Sequence, residues 1–254
     1  MIYVVFGVGF SGTTIVSELL HHSGIRMIDQ DEDDYDGGSK YEHLGFQNIN
    51  RELLGLSDDI VAHLRPGDCP ASLSETQKNK MLAIIDQQSS KHEDWGFKDP
   101  RTVVTYPLWK DLLPEHRIIV VFRDPSNTWN RQRWKGLRKR YVNAWRAYRL
   151  LRQWWEYNNI ILLNYKGNNN DNFLLLNYEK LMSTNEEVDR LADFIGRDVN
   201  DRRKQNMYRK RGRPDILFRM MRVFVNKWTK YSIDNMWARL MSERELEIKS
   251  RKMN

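Results

Sequence analysis

The chain has 254 residues, of which 40% are hydrophobic and 30% charged, a composition typical of a soluble globular protein with a sizeable core. No apolar run approaches the roughly 18 residues that a membrane span needs, and Met1 leads directly into a strand pattern, so we expect neither a transmembrane helix nor a secretory signal. The single cysteine, Cys69, excludes an internal disulfide framework and fits a reducing, cytoplasmic compartment.

The net charge of +7 is concentrated near the C-terminus. Residues 201–254 contain 16 Lys and Arg against 6 Asp and Glu, whereas residues 1–200 carry a small negative charge. A solvated basic surface and an affinity for a phosphorylated or acidic ligand both explain such a surplus. We expect a single domain over residues 1–254, with an α/β core at 1–200 and a basic, mainly helical C-terminal extension at 201–254.

The first twenty residues predict a buried strand, a tight turn and a helix. Ile2–Phe6 is an unbroken β-branched and aromatic run, Gly7 and Gly9 permit a sharp turn, and Ser11–Thr14 opens an amphipathic helix. Backbone N–H groups in such a turn, together with the helix macrodipole, form an anion site. A nucleoside-triphosphate loop would carry a lysine before its Ser/Thr pair, and glycine stands there instead. A strand, turn and helix without any ligand is the alternative.

An acidic stretch follows the first helix, because residues 29–36 contain six carboxylates. A calcium loop would need glycine at its sixth position and a carboxylate at its twelfth. Counted from Asp29, these positions hold Asp34 and Lys40. The pattern therefore favours an acidic loop over a metal site, and we predict no metal.

Five further elements are predicted from apolar spacing, helix caps and prolines. In chain order they are a helix at 46–54, a helix from Ser74 to about Gln88, a strand at 94–98, a helix at 101–113 and a strand at 118–122. Strands that alternate with helices indicate a parallel sheet, whose ligands bind beyond the carboxyl ends of the strands. The turns at Lys98 and Arg123 are both expected at that edge.

A long helix is predicted after Pro125, and a strand at 173–176 and a helix closed by Gly196 follow it. Aromatic and leucine residues recur at steps of three and four in the long helix, which favours a core-facing stripe over a nucleotide-stacking ladder. The stripe consists of Trp134, Leu137, Tyr141, Trp145, Tyr148, Leu151 and Trp155. Residues 202–254 predict further helix.

Three separated stretches, Gly7–Thr14, Trp95–Arg101 and Val120–Pro125, form one pattern, with a weaker match at Asn177–Leu181. In order and spacing, over about residues 1–195, the sequence resembles the sulfotransferases that use 3′-phosphoadenosine-5′-phosphosulfate (PAPS), and most closely their bacterial-type branch. The resemblance implies an α/β fold of three α/β/α layers with a central parallel sheet, like that of the P-loop nucleoside triphosphate hydrolases. It also implies transfer of a sulfuryl group to an acceptor hydroxyl, more commonly on a carbohydrate or glycoconjugate than on a small phenol.

The same resemblance assigns the residues that would bind the cofactor. The loop would hold the 5′-phosphosulfate, the strand-end arginines the 3′-phosphate and the tyrosine the adenine side, while a basic glycine loop would close over the 3′-phosphate. The residues concerned are Gly9, Phe10, Ser11, Gly12, Thr13, Thr14, Arg123, Arg131, Tyr178, Arg209 and Lys210. An arginine suits a phosphate because its planar guanidinium can make two parallel hydrogen bonds.

Two positions depart from the family pattern. Relatives usually carry a lysine or arginine where this chain has Phe10, and a serine where it has Arg131. Sulfuryl transfer needs a cation near the oxygen on which leaving-group charge grows, and we assign that role to Lys98. The alternative for Lys98 is an ion pair with Asp99 or Glu93.

A general base must also take the proton of the acceptor hydroxyl. Glu42 lies in a stretch that resembles the one where relatives carry a glutamate, and it is our first choice; His43, His21 and His22 are alternatives. Two other functions remain open at this point. One is a P-loop-type phosphotransferase acting on a nucleotide or sugar, and the other is a nucleic-acid-binding protein that uses the basic C-terminal part.

Overall fold

A computed structural model of the chain describes residues 1–31, 41–56, 64–132, 140–165, 170–203 and 214–253. Its centre is a four-stranded sheet in which every strand pairing is parallel and the strand order is β2–β1–β3–β4. The strands are β1 (Ile2–Phe6), β2 (Trp95–Lys98), β3 (His116–Phe122) and β4 (Phe173–Asn177).

Strand β1 lies in the middle of the sheet, as its unbroken apolar sequence predicts. All five of its residues are buried. Val5 lies opposite Lys98 of β2 on one side and Ile119 of β3 on the other. Because the strands are parallel, the segments that follow β1, β2 and β3 all leave the sheet at the same edge.

Ten α-helices surround the sheet within the described ranges. They are α1 (Thr13–His22), α2 (Leu44–Leu53), α3 (Glu75–Lys91), α4 (Thr102–Lys110), α5 (Pro125–Gln132), α6 (Arg140–Ile160), α7 (Tyr178–Ser183), α8 (Glu186–Ile195), α9 (Ile216–Trp228) and α10 (Ile233–Met253). None of them is long and apolar enough to cross a membrane.

The alternation of side chains along the strands produces two separate cores, one on each face of the sheet. Tyr3 and Val5 of β1 pack with α1, α7 and α8, whereas Val4 and Phe6 pack with α2, α4, α6, α9 and α10. The predicted class, three α/β/α layers with a parallel sheet and a helical C-terminus, is therefore confirmed. The C-terminal helices contribute Phe218, Val225 and Leu240 to the larger core rather than lying outside it.

Helix α3 begins where its capping box predicts. The Ser74 hydroxyl accepts from the Gln77 N–H, and the Gln77 side chain accepts from the Ser74 N–H. Helix α4 is shorter than the predicted 101–113 and contains Pro107. Pro107 cannot donate to the Val103 carbonyl, and the Tyr165 hydroxyl donates to that carbonyl instead, at 2.6 Å. This hydrogen bond explains how the helix tolerates an internal proline.

The predicted core-facing stripe of the long helix is confirmed in part. Leu151 is buried and Tyr148 and Trp155 pack against the core, whereas Trp145 is 58% exposed and Trp154, outside the stripe, is buried. The spacing of large residues continues around α6, so a choice of face based on the aromatic residues selects one that is partly on the surface. The stripe residues Trp134 and Leu137 and the side chain of Tyr141 lie outside the described part of the chain.

Candidate anion-binding and catalytic site

The loop between β1 and α1 forms a small cradle at the carboxyl edge of the sheet. The Ser11 N–H donates to the Val8 carbonyl at 2.9 Å, and both Phe10 and Gly12 have positive φ, at 68° and 108°. Ser11 is buried, yet its hydroxyl has no hydrogen-bond partner among the described residues. A side chain added at Gly9 would meet nothing within 4 Å. The cradle therefore offers an unused hydroxyl and an open approach to the backbone, as an anion site requires.

Two glycines of the loop cannot be replaced without a clash. A Cβ atom at Gly7 would lie 2.2 Å from the Ser11 hydroxyl oxygen, and one at Gly12 would lie 2.0 Å from the Tyr178 ring. Tyr178 is the first residue of α7, directly after β4. The backbone of the loop therefore packs closely against the Ser11 hydroxyl at Gly7 and against the Tyr178 ring at Gly12.

Arg123 lies at the end of β3 and turns toward this loop. Its guanidinium carbon lies 4.1 Å from the centre of the Tyr178 ring, and its Nη1 donates to the Phe10 carbonyl at 3.4 Å. Its Nε is 3.8 Å from Glu179, whose carboxylate also accepts from Asn127 at 2.6 Å. Burial raises the pKa of Glu179, against the lowering effects of Asn127 and Arg123. The result is a nearly buried cation whose position is set by an aromatic face and by the loop itself.

The turn after Arg123 is braced by the C-terminal part of the chain. The Asp124 carboxylate accepts from the Ser126 N–H at 2.7 Å and so caps α5. Arg222 of α9 donates to Asp124 at 3.1 Å and to the Ser126 hydroxyl at 2.9 Å. Sequence reasoning missed Arg222, since nothing local distinguishes it from the other cations of residues 201–254. Its one signal is its helical position next to the buried residues Phe218 and Val225.

Lys98 and Glu42, predicted separately as cation and base, form an ion pair. The distance from Lys98 Nζ to Glu42 Oε1 is 2.6 Å, and Gln47 donates to the other carboxylate oxygen at 2.8 Å. Lys98 is only 2% exposed. Its register opposite Val5 places it on the strand next to the one that leads into the cradle. The sequence offered Asp99 and Glu93 as alternative partners of Lys98; the structure pairs Lys98 with Glu42, and Asp99 with Arg101.

Asp99 belongs to a buried network behind this ion pair. Its carboxylate accepts from the Arg101 guanidinium at 2.9 Å and from the Asn50 amide at 2.9 Å. The Asn50 carbonyl oxygen in turn accepts from Thr105 at 2.7 Å and from Trp109 at 2.8 Å. Burial raises the pKa of Asp99, which Arg101 and Asn50 oppose. The network fixes α2 and α4 to the end of β2, and so fixes the segment that carries Lys98.

The three histidines considered as alternative bases have structural partners. His21 and His22 end α1, which begins at the cradle, so the length of the helix, about 15 Å, separates them from the loop. His43 caps α2, where its Nδ1 accepts from the Gly45 N–H at 3.1 Å and its Nε2 lies 3.2 Å from Asp29. Of the candidate bases, Glu42 is the one in contact with Lys98.

The remaining predicted site residues divide into two groups. Thr13 and Thr14 are half-buried in the first turn of α1, next to the cradle. The side chain of Arg131 and the residues Arg209 and Lys210 lie outside the described part of the chain. Within the described ranges, no cluster of three His, Cys, Asp or Glu side chains could hold a metal ion.

Comparison with known proteins identifies the family to which the chain belongs. Residues 3–201 match the sequence pattern of the family described as "Sulfotransferase family". Among solved structures, the chain is similar to the sulfotransferase domain from the Synechococcus PCC 7002 olefin synthase, at 16% identity and a TM-score of 0.45, over 87% of this chain and 92% of that one. A search of curated proteins finds no match. The family match includes residues of all four strands and the whole cradle.

Proposed function

Because the chain belongs to the sulfotransferase family, we propose that it moves a sulfuryl group from PAPS to an acceptor hydroxyl. The observation that carries this proposal is the cradle itself. A buried Ser11 hydroxyl with no hydrogen-bond partner among the described residues, an arginine held on an aromatic ring, and a lysine paired with a glutamate lie at the carboxyl ends of three adjacent strands. Sulfuryl transfer needs an anion cradle, a cation and a base, and these residues provide one of each.

The residues present fit the anionic nucleotide. The Ser11 hydroxyl and backbone N–H groups of the loop and of the first turn of α1 would hold the 5′ end, and the macrodipole of α1 would favour its charge. Arg123 would hold the 3′-phosphate, for which its fixed guanidinium is already oriented by Tyr178. Arg131, Arg209 and Lys210 stay predictions for the same phosphate.

Lys98 and Glu42 would have separate roles in the transfer of the sulfuryl group. PAPS supplies an activated sulfur, whose bond to the bridging oxygen breaks as the bond to the acceptor oxygen forms. Lys98 would hold the negative charge that grows on the bridging oxygen, and Glu42 would accept the acceptor proton on its carboxylate. Their 2.6 Å ion pair, with Gln47 on the second oxygen, keeps both groups positioned before the reaction. For the acceptor we propose a hydroxyl of a carbohydrate or glycoconjugate, on the strength of the resemblance.

Calorimetric titration with 3′-phosphoadenosine 5′-phosphate, the desulfated nucleotide, tests the proposal. We expect the chain to bind this nucleotide and Arg123→Ala to weaken binding at least about tenfold, the usual cost of losing a charged hydrogen-bond donor. Arg197→Ala is the matched control, because Arg197 pairs with Asp94 ahead of β2, at the opposite edge of the sheet. That variant should bind like the original chain.

Three results would overturn the proposal. Absence of binding for both the sulfated and the desulfated nucleotide would remove the donor. Magnesium-dependent hydrolysis of ATP without nucleotide-sulfate binding would instead indicate the phosphotransferase. Binding to nucleic acid that falls steeply with salt and survives Ser11→Ala would indicate the third function.

A further inference from the structure

Helix α9 has two apolar faces, and one of them is on the surface. Phe218 and Val225 are buried against the core, and Arg222 fixes the same helix to Asp124. On the outer side, five large apolar residues are each between 48% and 74% exposed. We call these the α9 outer face: Ile216, Met220, Val223, Phe224 and Trp228. They recur at the helical spacing of one continuous stripe and line a shallow groove of about 590 Å³.

In the described part of the chain, the charges around the α9 outer face are mostly positive, although Asp215, next to Ile216, caps the start of the helix. Between Ile216 and Ser232 the sequence contains four Lys or Arg and no Asp or Glu. Arg219, Lys227 and Lys230 are exposed, whereas Arg222 is engaged with Asp124 and Asp234. Arg219 and Lys227 border the apolar stripe on the helix, so their long aliphatic stems can lie along it while the charges remain in water.

An occupant of this face must be apolar at its centre and negatively charged at its rim. A second copy of the chain would set this net positive face against an identical one, which is unfavourable. An anionic lipid surface satisfies both requirements, since Trp, Phe and Met can enter the headgroup boundary while Lys and Arg meet lipid phosphates. We propose that the α9 outer face docks the protein onto an anionic membrane surface. This docking is peripheral and independent of the proposed sulfuryl transfer.

Co-sedimentation of the full chain with lipid vesicles tests the docking. We expect binding to vesicles of phosphatidylcholine containing phosphatidylglycerol, and much weaker binding to phosphatidylcholine alone. The variant Met220→Glu with Phe224→Glu should lose vesicle binding, because it places charge at the centre of the apolar stripe. The variant Arg219→Glu with Lys227→Glu should lower the partition coefficient at least about tenfold, since each basic residue near an anionic surface contributes roughly fivefold.

Leu246→Glu is the matched control, because Leu246 is 55% exposed on α10 and lies outside the α9 outer face. It should bind vesicles like the original chain. All the substituted side chains are exposed, and a circular dichroism spectrum checks that each variant is folded. The proposal would be overturned if the chain bound neutral and anionic vesicles equally well. It would also be overturned if both α9 variants still bound vesicles like the original chain. A dimer in sedimentation velocity that becomes a monomer in Met220→Glu, without vesicle binding, would show a second copy as the occupant instead.

Discussion

Phe10 contributes a carbonyl oxygen to the site rather than a charge. Its side chain is 54% exposed, its φ is 68°, and its carbonyl accepts from Arg123. The cation that sulfuryl transfer needs would therefore have to come from other strands. Lys98, the last residue of β2, and Arg123, directly after β3, lie on the two strands that flank β1 and are our candidates. At the scale of single residues, the proposed site thus takes its charges from both neighbours of the strand that leads into the cradle.

Replacing Lys98 tests this distribution. Lys98→Ala leaves the Glu42 carboxylate with Gln47 alone, and we expect the free energy of unfolding to fall by about 3 kcal/mol, the usual cost of breaking a buried ion pair. Turnover should fall at least about 100-fold, as it does when a group that stabilises developing charge is removed. Affinity for the desulfated nucleotide should also fall, because the bridging oxygen stays on its 5′-phosphate and carries there the negative charge that Lys98 would hold.

The double variant Lys98→Ala with Glu42→Gln separates the two effects. Without the carboxylate there is no unpaired charge, so chemical denaturation should show that much of the lost stability returns. Turnover should stay low, since neither the cation nor the base is restored. Full turnover in Lys98→Ala would contradict the role of Lys98 and would assign the charge on the bridging oxygen to another residue.

At the scale of elements, β3 carries a titrating group at its start and the site arginine at its end. His116 Nδ1 donates to the Pro114 carbonyl at 2.7 Å, and its Nε2 accepts from the Tyr106 hydroxyl at 2.7 Å. Both partners suit the neutral ring. Burial holds the pKa of His116 below its ordinary value, a hydrogen bond to Pro114 opposes this, and Lys110 reinforces it.

Stability should therefore depend on pH through His116. The pKa of His116 is lowered in the folded state, so the unfolded chain binds the proton more readily. The contribution of this group to the free energy of unfolding is therefore fully present above the unfolded pKa, near pH 6.5. As pH falls below that value, stability is lost by up to about 1.4 kcal/mol per pH unit for this one group. Urea denaturation between pH 5 and 8 should show that the free energy of unfolding changes less with pH in His116→Gln than in the original chain. Some pH dependence should remain, because the pKa values of His21 and His92 are also lowered.

Tyr106→Phe is the control for this pH dependence. It removes the hydroxyl that donates to Nε2 but leaves the titrating ring in place. We expect lower stability at every pH with the slope against pH retained. A slope that is the same in His116→Gln and in the original chain would contradict the assignment.

Local patterns were sufficient to predict most elements, but not their relative positions. Strand β1 and the cap at Ser74 follow from neighbouring residues, so the sequence predicts them directly. The face of α6 does not, because large residues occur around the whole helix and only the surrounding core decides that Trp145 is exposed. The pairing of Lys98 with Glu42, which are 56 positions apart, depends on how α2 packs against β2. Sequence reasoning identified both residues and could not predict their contact.

At the scale of the whole molecule, α10 is joined to the sheet by buried charges. Arg244 and Glu187 are both fully buried and their side chains are 2.6 Å apart. Arg190 pairs with Glu187 and with Glu247, and a carboxylate oxygen of Glu247 accepts from the Leu175 N–H of β4 at 2.9 Å. Burial raises the pKa of Glu247, which Arg190 opposes. Opposite charges alternate through the network, so each ion is compensated only while all of them are present.

Removing Arg244 should consequently destabilise the entire fold rather than release α10. Arg244→Leu leaves the buried Glu187 paired with Arg190, which is shared with Glu247, and we expect a loss of about 3–5 kcal/mol in the free energy of unfolding. Lys249→Leu, an exposed cation on the same helix, should change stability by less than about 0.5 kcal/mol. Denaturation followed by both circular dichroism and tryptophan fluorescence should give one coincident transition, because α10 packs into the same core as the sheet. Two separated transitions, with nucleotide binding retained between them, would mean that α10 is an independent appendage.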